Sequence, residues 1–228
     1  MKERRLTPEL LDDLPPEAPS AVASRRDLRA LNAIMGHRRA WRLWLRDEFP
    51  DAPPRIIVEL GAGDGAMAAE NVLAAFPRGR GATLVFVDHA PCVASSTLAA
   101  LERAGWSAQV HAADVFDWLA DAPECDAICA NLFLHHFENE PLQRLLHAAS
   151  RCAKAFAALE PRRSRLALAG VAALPLMDAN AVTRHDARVS VEAGFRSGEL
   201  TALWPANGWR CEERLAFPFS HWFCARKV

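Results

Sequence analysis

Between Ile56 and Gly65 the chain reads Ile-Ile-Val-Glu-Leu-Gly-Ala-Gly-Asp-Gly: a short apolar run, an acidic residue within it, then glycines at three alternate positions. A helix-forming segment begins at once with Ala66. Few folds accommodate that order. The apolar run suits a buried strand, the glycines suit a turn of unusual backbone conformation, and the next helix starts against the turn. Glycine carries no Cβ, so main chain there can approach a bound small molecule closely.

The same alternation continues downstream. Strands are predicted over 55–60, 82–87, 107–111, 125–131 and 154–159, with helices at about 66–76, 91–104, 115–120 and 139–152 between them. In the last helix Pro141 sits near the first turn, and Leu142, Leu145, Leu146 and Ala149 form one apolar stripe. Strands alternating with helices predict a parallel sheet covered on both faces. The C-terminal end differs. Two strand-like runs, Trp209–Phe217 and Ser220–Arg226, are joined by little more than Pro218-Phe219, so they should lie antiparallel.

Upstream, the proline-rich stretch Leu14–Pro19 separates a short first helix from the next one. Ser24 and Asp27 read as a capping box ahead of Leu28, Leu31, Ile34 and Met35 at helical spacing. Gly36 interrupts, and Trp41, Trp44 and Leu45 mark a second helix running up to Pro50. The expected fold is α/β: a Rossmann-like, doubly wound, mostly parallel seven-stranded sheet with a C-terminal antiparallel hairpin and an N-terminal helical cap. Residues 1–50 are the cap or lid. Residues 51–228 are the main domain, with a substrate-binding insertion at about 160–196.

Composition narrows the function. A chain of 228 residues suits one domain with enough core to fold unaided. A net charge of -1 supplies no field that would draw it to nucleic acid or an anionic membrane. No run of about 18 apolar residues occurs and the N-terminus is charged, so a cytoplasmic protein is expected. Cys92, Cys125, Cys129, Cys152, Cys211 and Cys224 include no paired set with zinc-ligand spacing; they read as free thiols, and no metal is expected.

Glu59, Gly61, Gly63 and Gly65 match every position of E-x-G-x-G-x-G, and the segment resembles the cofactor loop of class I S-adenosylmethionine-dependent methyltransferases. Gly61, Gly63 and Ala66 also satisfy the looser dinucleotide fingerprint, so the glycines do not decide between the two. Three features favour the methyltransferase. Glu59 stands two residues before the turn, where dinucleotide binders usually carry an apolar residue or glycine. Ala113-Asp114-Val115-Phe116 follows the third strand, and its acidic residue resembles the one that meets adenine. Cys125–Phe137, with its Asn131-Leu132-Phe133-Leu134-His135-His136-Phe137 ending, resembles the fourth-strand motif of small-molecule methyltransferases.

The resemblance implies S-adenosyl-L-methionine as cofactor and a set of residues around it. Gly61, Ala62, Gly63 and Gly65 would cradle it, and Glu59 would take its ammonium. Asp88 and the following His89 would lie at the ribose, Asp114 with the Val115 backbone at the adenine, and Asn131 and Leu132 beside it. The helix start near Ala66 would attract its carboxylate. His136, His135 and His185 are the candidate catalytic bases. The first two follow the fourth strand, where the ligand crevice opens, and His185 has an adjacent Asp186 that could orient it. Each also has a plain structural reading, as a loop-shaping pair and a solvated helix start. Arg162, Arg163 and Arg165 read either as substrate-binding or as a solvated face, and so do Arg25, Arg26 and Arg29. His221 is expected in the core or at an edge.

Base-modifying enzymes carry a D/N-P-P-Y/F segment after the fourth strand, and Asn131-Leu132-Phe133-Leu134 has neither proline. Nucleic acid is therefore not an expected partner. The expected reaction is methyl transfer to an oxygen or carbon of a small, aromatic or polyketide-like acceptor in specialised metabolism. An NAD(P)-dependent oxidoreductase and a non-catalytic S-adenosylmethionine-binding partner protein are the alternatives.

Overall fold

A computed structural model describes residues 3–216 and 218–228. The chain begins with helices α1 (Pro19–Ile34) and α2 (His37–Glu48) and enters the sheet at β1 (Ile56–Leu60). Then come α3 (Ala66–Ala75), β2 (Thr83–Asp88), α4 (Ser95–Arg103), β3 (Ser107–Ala112), α5 (Val115–Ala120) and β4 (Cys125–Asn131). A 3-10 turn at Leu134–His136 leads to α6 (Asn139–Cys152) and β5 (Ala153–Pro161). The last part holds α7 (Arg165–Ala172), α8 (Ala181–Ala193), α9 (Glu199–Leu203), β6 (Trp209–Ala216) and β7 (Ser220–Lys227).

Side chains alternate between the two faces of a strand, and this alternation builds the two core layers. Val58, Val85, Ile128 and Phe156 pack on one side with Leu119 of α5 and Leu142, Leu145 and Leu146 of α6. Ile57, Leu84, Phe86 and Ala157 pack on the other with Trp41, Trp44 and Leu45 of α2 and Val72 of α3. Both faces are covered, as the near-continuous apolar strands require.

Among the described residues the sheet has seven strands in the order β3-β2-β1-β4-β5-β7-β6. β1 pairs in parallel with β2 and β4, and β7 pairs antiparallel with β5 and β6. The order reverses between β1 and β4. Connections leave these two strands in opposite directions, which opens a crevice at their carboxyl ends. The glycine turn after β1 and the histidine pair after β4 therefore border one space. Phe217, at the end of an expected strand, lies outside the described residues; β6 and β7 pair from Ala216↔Ser220 onward.

Several boundaries differ from expectation. Residues 10–13 form a turn, so no separate first helix precedes the prolines. α1 starts at Pro19, where the missing N–H costs nothing, and Ser24 and Asp27 lie inside it. They face α8: Asp27 Oδ2 accepts from the Asn180 amide at 3.0 Å and from Thr183 Oγ1 at 3.1 Å. The residue types were a capping signal, but the partners are about 150 positions away. α2 ends at Glu48, two residues before Pro50, and α4 begins at Ser95. α8 is capped by Asn180, whose side chain accepts from the Thr183 N–H, so Asp186 lies mid-helix and does not start it. Among the described residues no helix is long and apolar enough to cross a membrane.

Candidate active site

The glycine turn takes the backbone that glycine alone adopts freely: φ is 68° at Gly61, 52° at Gly63 and 64° at Gly65. A Cβ on Gly61 would overlap the Phe133 ring, and one on Gly65 would lie 2.8 Å from Phe86. A Cβ on Gly63 would meet nothing within 4 Å. The first and third glycines thus let the protein pack against itself, and the middle one borders open space. Asp88, at the end of β2, accepts from the Gly63 N–H at 2.8 Å and from the Ala90 N–H at 2.8 Å, which ties the second strand to the turn.

That space is a cleft of about 540 Å³. Its floor is Glu59, Gly61, Ala62, Gly63, Asp88, His89, Asp114, Val115, Asn131 and Leu132; its roof comes from the N-terminal segment 9–16 and from α1. Leu132 holds a φ of 54°, a strained conformation for a residue with a side chain, at the point where the chain leaves β4. Asn131 is fixed by Trp41 Nε1, which donates to its Oδ1 at 3.0 Å. Asp114 caps α5, its Oδ1 accepting from the Phe116 N–H at 2.7 Å.

Glu59 is the least comfortable group in the cleft. It is 4% exposed, and its Oε2 has no hydrogen-bond partner. Burial, then the nearby Asp64 and Asp88, push its carboxyl well above the ordinary range. Arg38 Nε and Asn32 Oδ1 are also buried without partners, and both residues line the same cleft.

Residues 57–155, from β1 to the start of β5, match the family model described as a methyltransferase domain. This central segment resembles a methyltransferase domain. The solved structures similar to the chain share its fold. The plantazolicin methyltransferase BpumL in complex with SAH is 13% identical, with a TM-score of 0.64 over 93% of this chain and 92% of that one. An O-methyltransferase family protein from Burkholderia thailandensis is 18% identical, with a TM-score of 0.61 over 93% of this chain and 63% of its own. Magnesium protoporphyrin IX methyltransferase (ChlM) from Synechocystis PCC 6803 is 14% identical, with a TM-score of 0.56 over 85% of this chain and 84% of that one. No curated protein matches the chain in sequence.

Of the three histidines expected to be catalytic, His136 lines the cleft. Its ring is held below the usual pKa by burial and by the adjacent His135, so it is neutral near pH 7. Asp12 Oδ2 lies 3.5 Å from its Nδ1. Burial in the cleft walls, with Glu9 and Asp186 as like charges, pushes Asp12 up to about 6.

His135 does not open onto the cleft, which corrects the expectation that it transfers protons. It is buried with both ring nitrogens engaged: Nδ1 lies 2.7 Å from Glu160 Oε2 and Nε2 3.2 Å from Glu9 Oε1. Burial opposes the cation, but the two carboxylates outweigh it and raise the ring to about 9. His185 is corrected too. Its Nδ1 meets Asp186 Oδ1 at 2.9 Å as the adjacent pair suggested, but the ring lies outside the cleft. Asp186 is occupied in holding the N-terminal segment, accepting from the Leu10 and Leu11 N–H groups at 2.8 and 3.0 Å. Gly65 lies behind the cleft and not on its wall.

The arginines divide as well. Arg163 is buried against Glu199 and the Gly194 carbonyl, so it is neither substrate-binding nor a solvated charge. Arg25 and Arg29 of α1 line the cleft, and Arg29 pairs with Asp64 at 2.7 Å. Asp64 also accepts from the Ala66 N–H at 3.1 Å, so the start of α3 already serves an internal carboxylate. His221 is buried in β7, 2.7 Å from Glu213 Oε1.

Glu9, Asp12 and Glu160 were missed. Glu160 accepts from the Phe133 and Leu134 N–H groups at 3.0 and 2.9 Å and so builds the turn that presents both histidines. The available signal was its place: an acidic residue at the carboxyl end of β5, as Glu59 is near the end of β1.

The raised pKa of His135 makes stability depend on pH. An imidazole that titrates near 6.5 when unfolded and at about 9 when folded contributes its full stability below about pH 6.5. That contribution fades as pH rises and is gone above the folded value. Melting temperatures of chelator-treated wild type and Glu9→Gln are expected to differ most at about pH 6 and to converge toward about pH 9.5. Parallel curves would refute this account.

Proposed function

We propose that this protein transfers the methyl group of S-adenosylmethionine to an oxygen or carbon of a small acceptor, aromatic or polyketide-like, in specialised metabolism in the cytoplasm. The observation that carries this is Glu59. A buried carboxylate with a free oxygen, facing a cleft behind a glycine turn, is costly to maintain without a cationic ligand. The ammonium of S-adenosylmethionine is such a cation. The cofactor supplies an activated methyl group on a sulfonium. The chain supplies placement and exclusion of water, and holding reactants in near-attack geometry contributes about 7–11 kcal/mol.

In this reading Asp88 holds the ribose, Asp114 and the Val115 backbone the adenine, and Gly61 to Gly63 the backbone side of the cofactor. Because Asp64 already serves the start of α3, the cofactor carboxylate is assigned to Arg38, whose Nε is a donor without a partner. Leu11, Leu14, Leu28, Phe133 and Phe137 give the acceptor end apolar walls. His136, neutral and on the cleft wall, can take a proton from a hydroxyl or an enolisable carbon. The N-terminal segment and α1 act as the cap over the acceptor. The solved relatives named above act on plantazolicin and magnesium protoporphyrin IX, and they support an acceptor that is not a nucleic acid.

Calorimetric titration with S-adenosylhomocysteine and, separately, NAD(P) tests the reading. Saturable binding of the first and none of the second is expected. The reverse would replace methyl transfer by a redox function.

A further inference from the structure

We propose that Glu9, His135 and His136 bind one divalent first-row transition-metal ion at the acceptor end of the cleft. The nitrogens and oxygen that these residues offer lie within 4.8 Å of one another. Small rotations bring such a set to the bond lengths of about 2.0–2.2 Å that zinc takes with imidazole and carboxylate.

The hydrogen-bond logic of His135 points the same way. Its Nδ1, 2.7 Å from Glu160 Oε2, donates to that carboxylate. With the ring protonated, Nε2 also donates, to Glu9 Oε1 at 3.2 Å. A metal ion at this position would replace the Nε2 proton between the ring and the Glu9 carboxylate. A proton serves that single pair. A metal ion also draws on His136, whose ring centroid lies 4.4 Å from that of His135.

The outer contacts are those of a built site. Metal-binding histidines commonly hand their other N–H to a carboxylate, as His135 does to Glu160. The Ser190 hydroxyl donates to Glu9, and Asp12 stands beside His136 on the cleft side. Glu9, Asp12, Glu160 and Asp186 converge on this corner, with Arg4 among the nearby cations; Arg4 donates to the His135 and Phe137 carbonyls at 3.2 and 2.9 Å. Two imidazoles with a carboxylate favour zinc, iron or cobalt over magnesium or calcium.

The N-terminal segment brings Glu9 to the two histidines, so the site exists only with that segment seated. Under the methyl-transfer reading, on which this one consequence rests, a metal-bound His136 would no longer serve as the base; the ion would acidify a coordinated acceptor hydroxyl, whose proton would pass to the Asp12 carboxylate beside His136.

The test uses untagged, chelator-treated full-length protein titrated with Co²⁺ and with Zn²⁺ alone. One ion per chain is expected, with cobalt absorption bands of low coordination number. Affinity should fall at least tenfold in Glu9→Gln and in His136→Ala, and stay unchanged in His147→Ala, an exposed histidine of α6. Absence of saturable binding to folded wild type, or equal affinity in both cluster variants, overturns the proposal. S-adenosylhomocysteine titrated into the same samples reports separately on the methyl-transfer reading.

Discussion

Gly63→Val is expected to abolish binding of S-adenosylhomocysteine while the chain stays folded. A Cβ there finds nothing within 4 Å. Its cost to the fold is the left-handed backbone at φ 52°, about 1–2 kcal/mol, against a typical domain stability of about 5–15 kcal/mol. The added methyls project instead into the space that the proposed cofactor fills. Gly61→Val is the matched contrast. Its Cβ would overlap the Phe133 ring, so that variant should lose structure as well as ligand. Thermal melts beside calorimetry separate the two. For Gly63→Val a near-normal melt with affinity down at least about 100-fold is expected, and affinity within threefold of wild type would remove the cofactor from this turn.

Glu59→Gln should push stability and affinity in opposite directions. The ligand-free protein buries a carboxyl whose ionisation is opposed by burial, Asp64 and Asp88, and whose Oε2 lacks a partner. Because the folded state holds the proton more tightly than the unfolded chain, this group's contribution to stability declines as pH rises above the usual carboxylate range. Glutamine removes that decline, and a gain of about 1–3 kcal/mol at about pH 8 is the scale for relieving a poorly satisfied buried group. The same change deletes the charge proposed to meet the ammonium. Hydrogen bonds to charged groups contribute about 1.5–3 kcal/mol, which corresponds to affinity lower by about 10- to 100-fold. Measured together, melting temperature up and affinity down is the expected pair. A variant that binds S-adenosylhomocysteine as wild type does would move the ammonium elsewhere.

The parts of the fold legible in advance were those with a local cause. Apolar runs flanked by helical stripes located the five parallel strands, and the Pro218-Phe219 connection implied the antiparallel end. That Glu59, Gly63, Asp88 and Asp114 line one cleft was legible because a strand end followed by a turn has few ways to be written. The N-terminal segment was misread for the converse reason. It read as a short helix, because the groups that hold it, Asp186 and His135, lie far away in sequence.

Periodicity and glycine spacing report on backbone conformation and on which face of an element is dry, so the order of strands and helices, the glycine turn and its acidic neighbours were already written in residues 55 to 161. Which side chains meet across the fold is a different quantity. Glu9, His135 and Glu160 come together from three segments, as Ser24 and Asp27 meet Asn180 and Thr183, through burial and ion pairing that no local pattern encodes. Packing alone excluded His135 and His185 from the cleft and left His136 on its wall, since a ring's chemistry depends on what surrounds it and its sequence neighbours are only a small part of that.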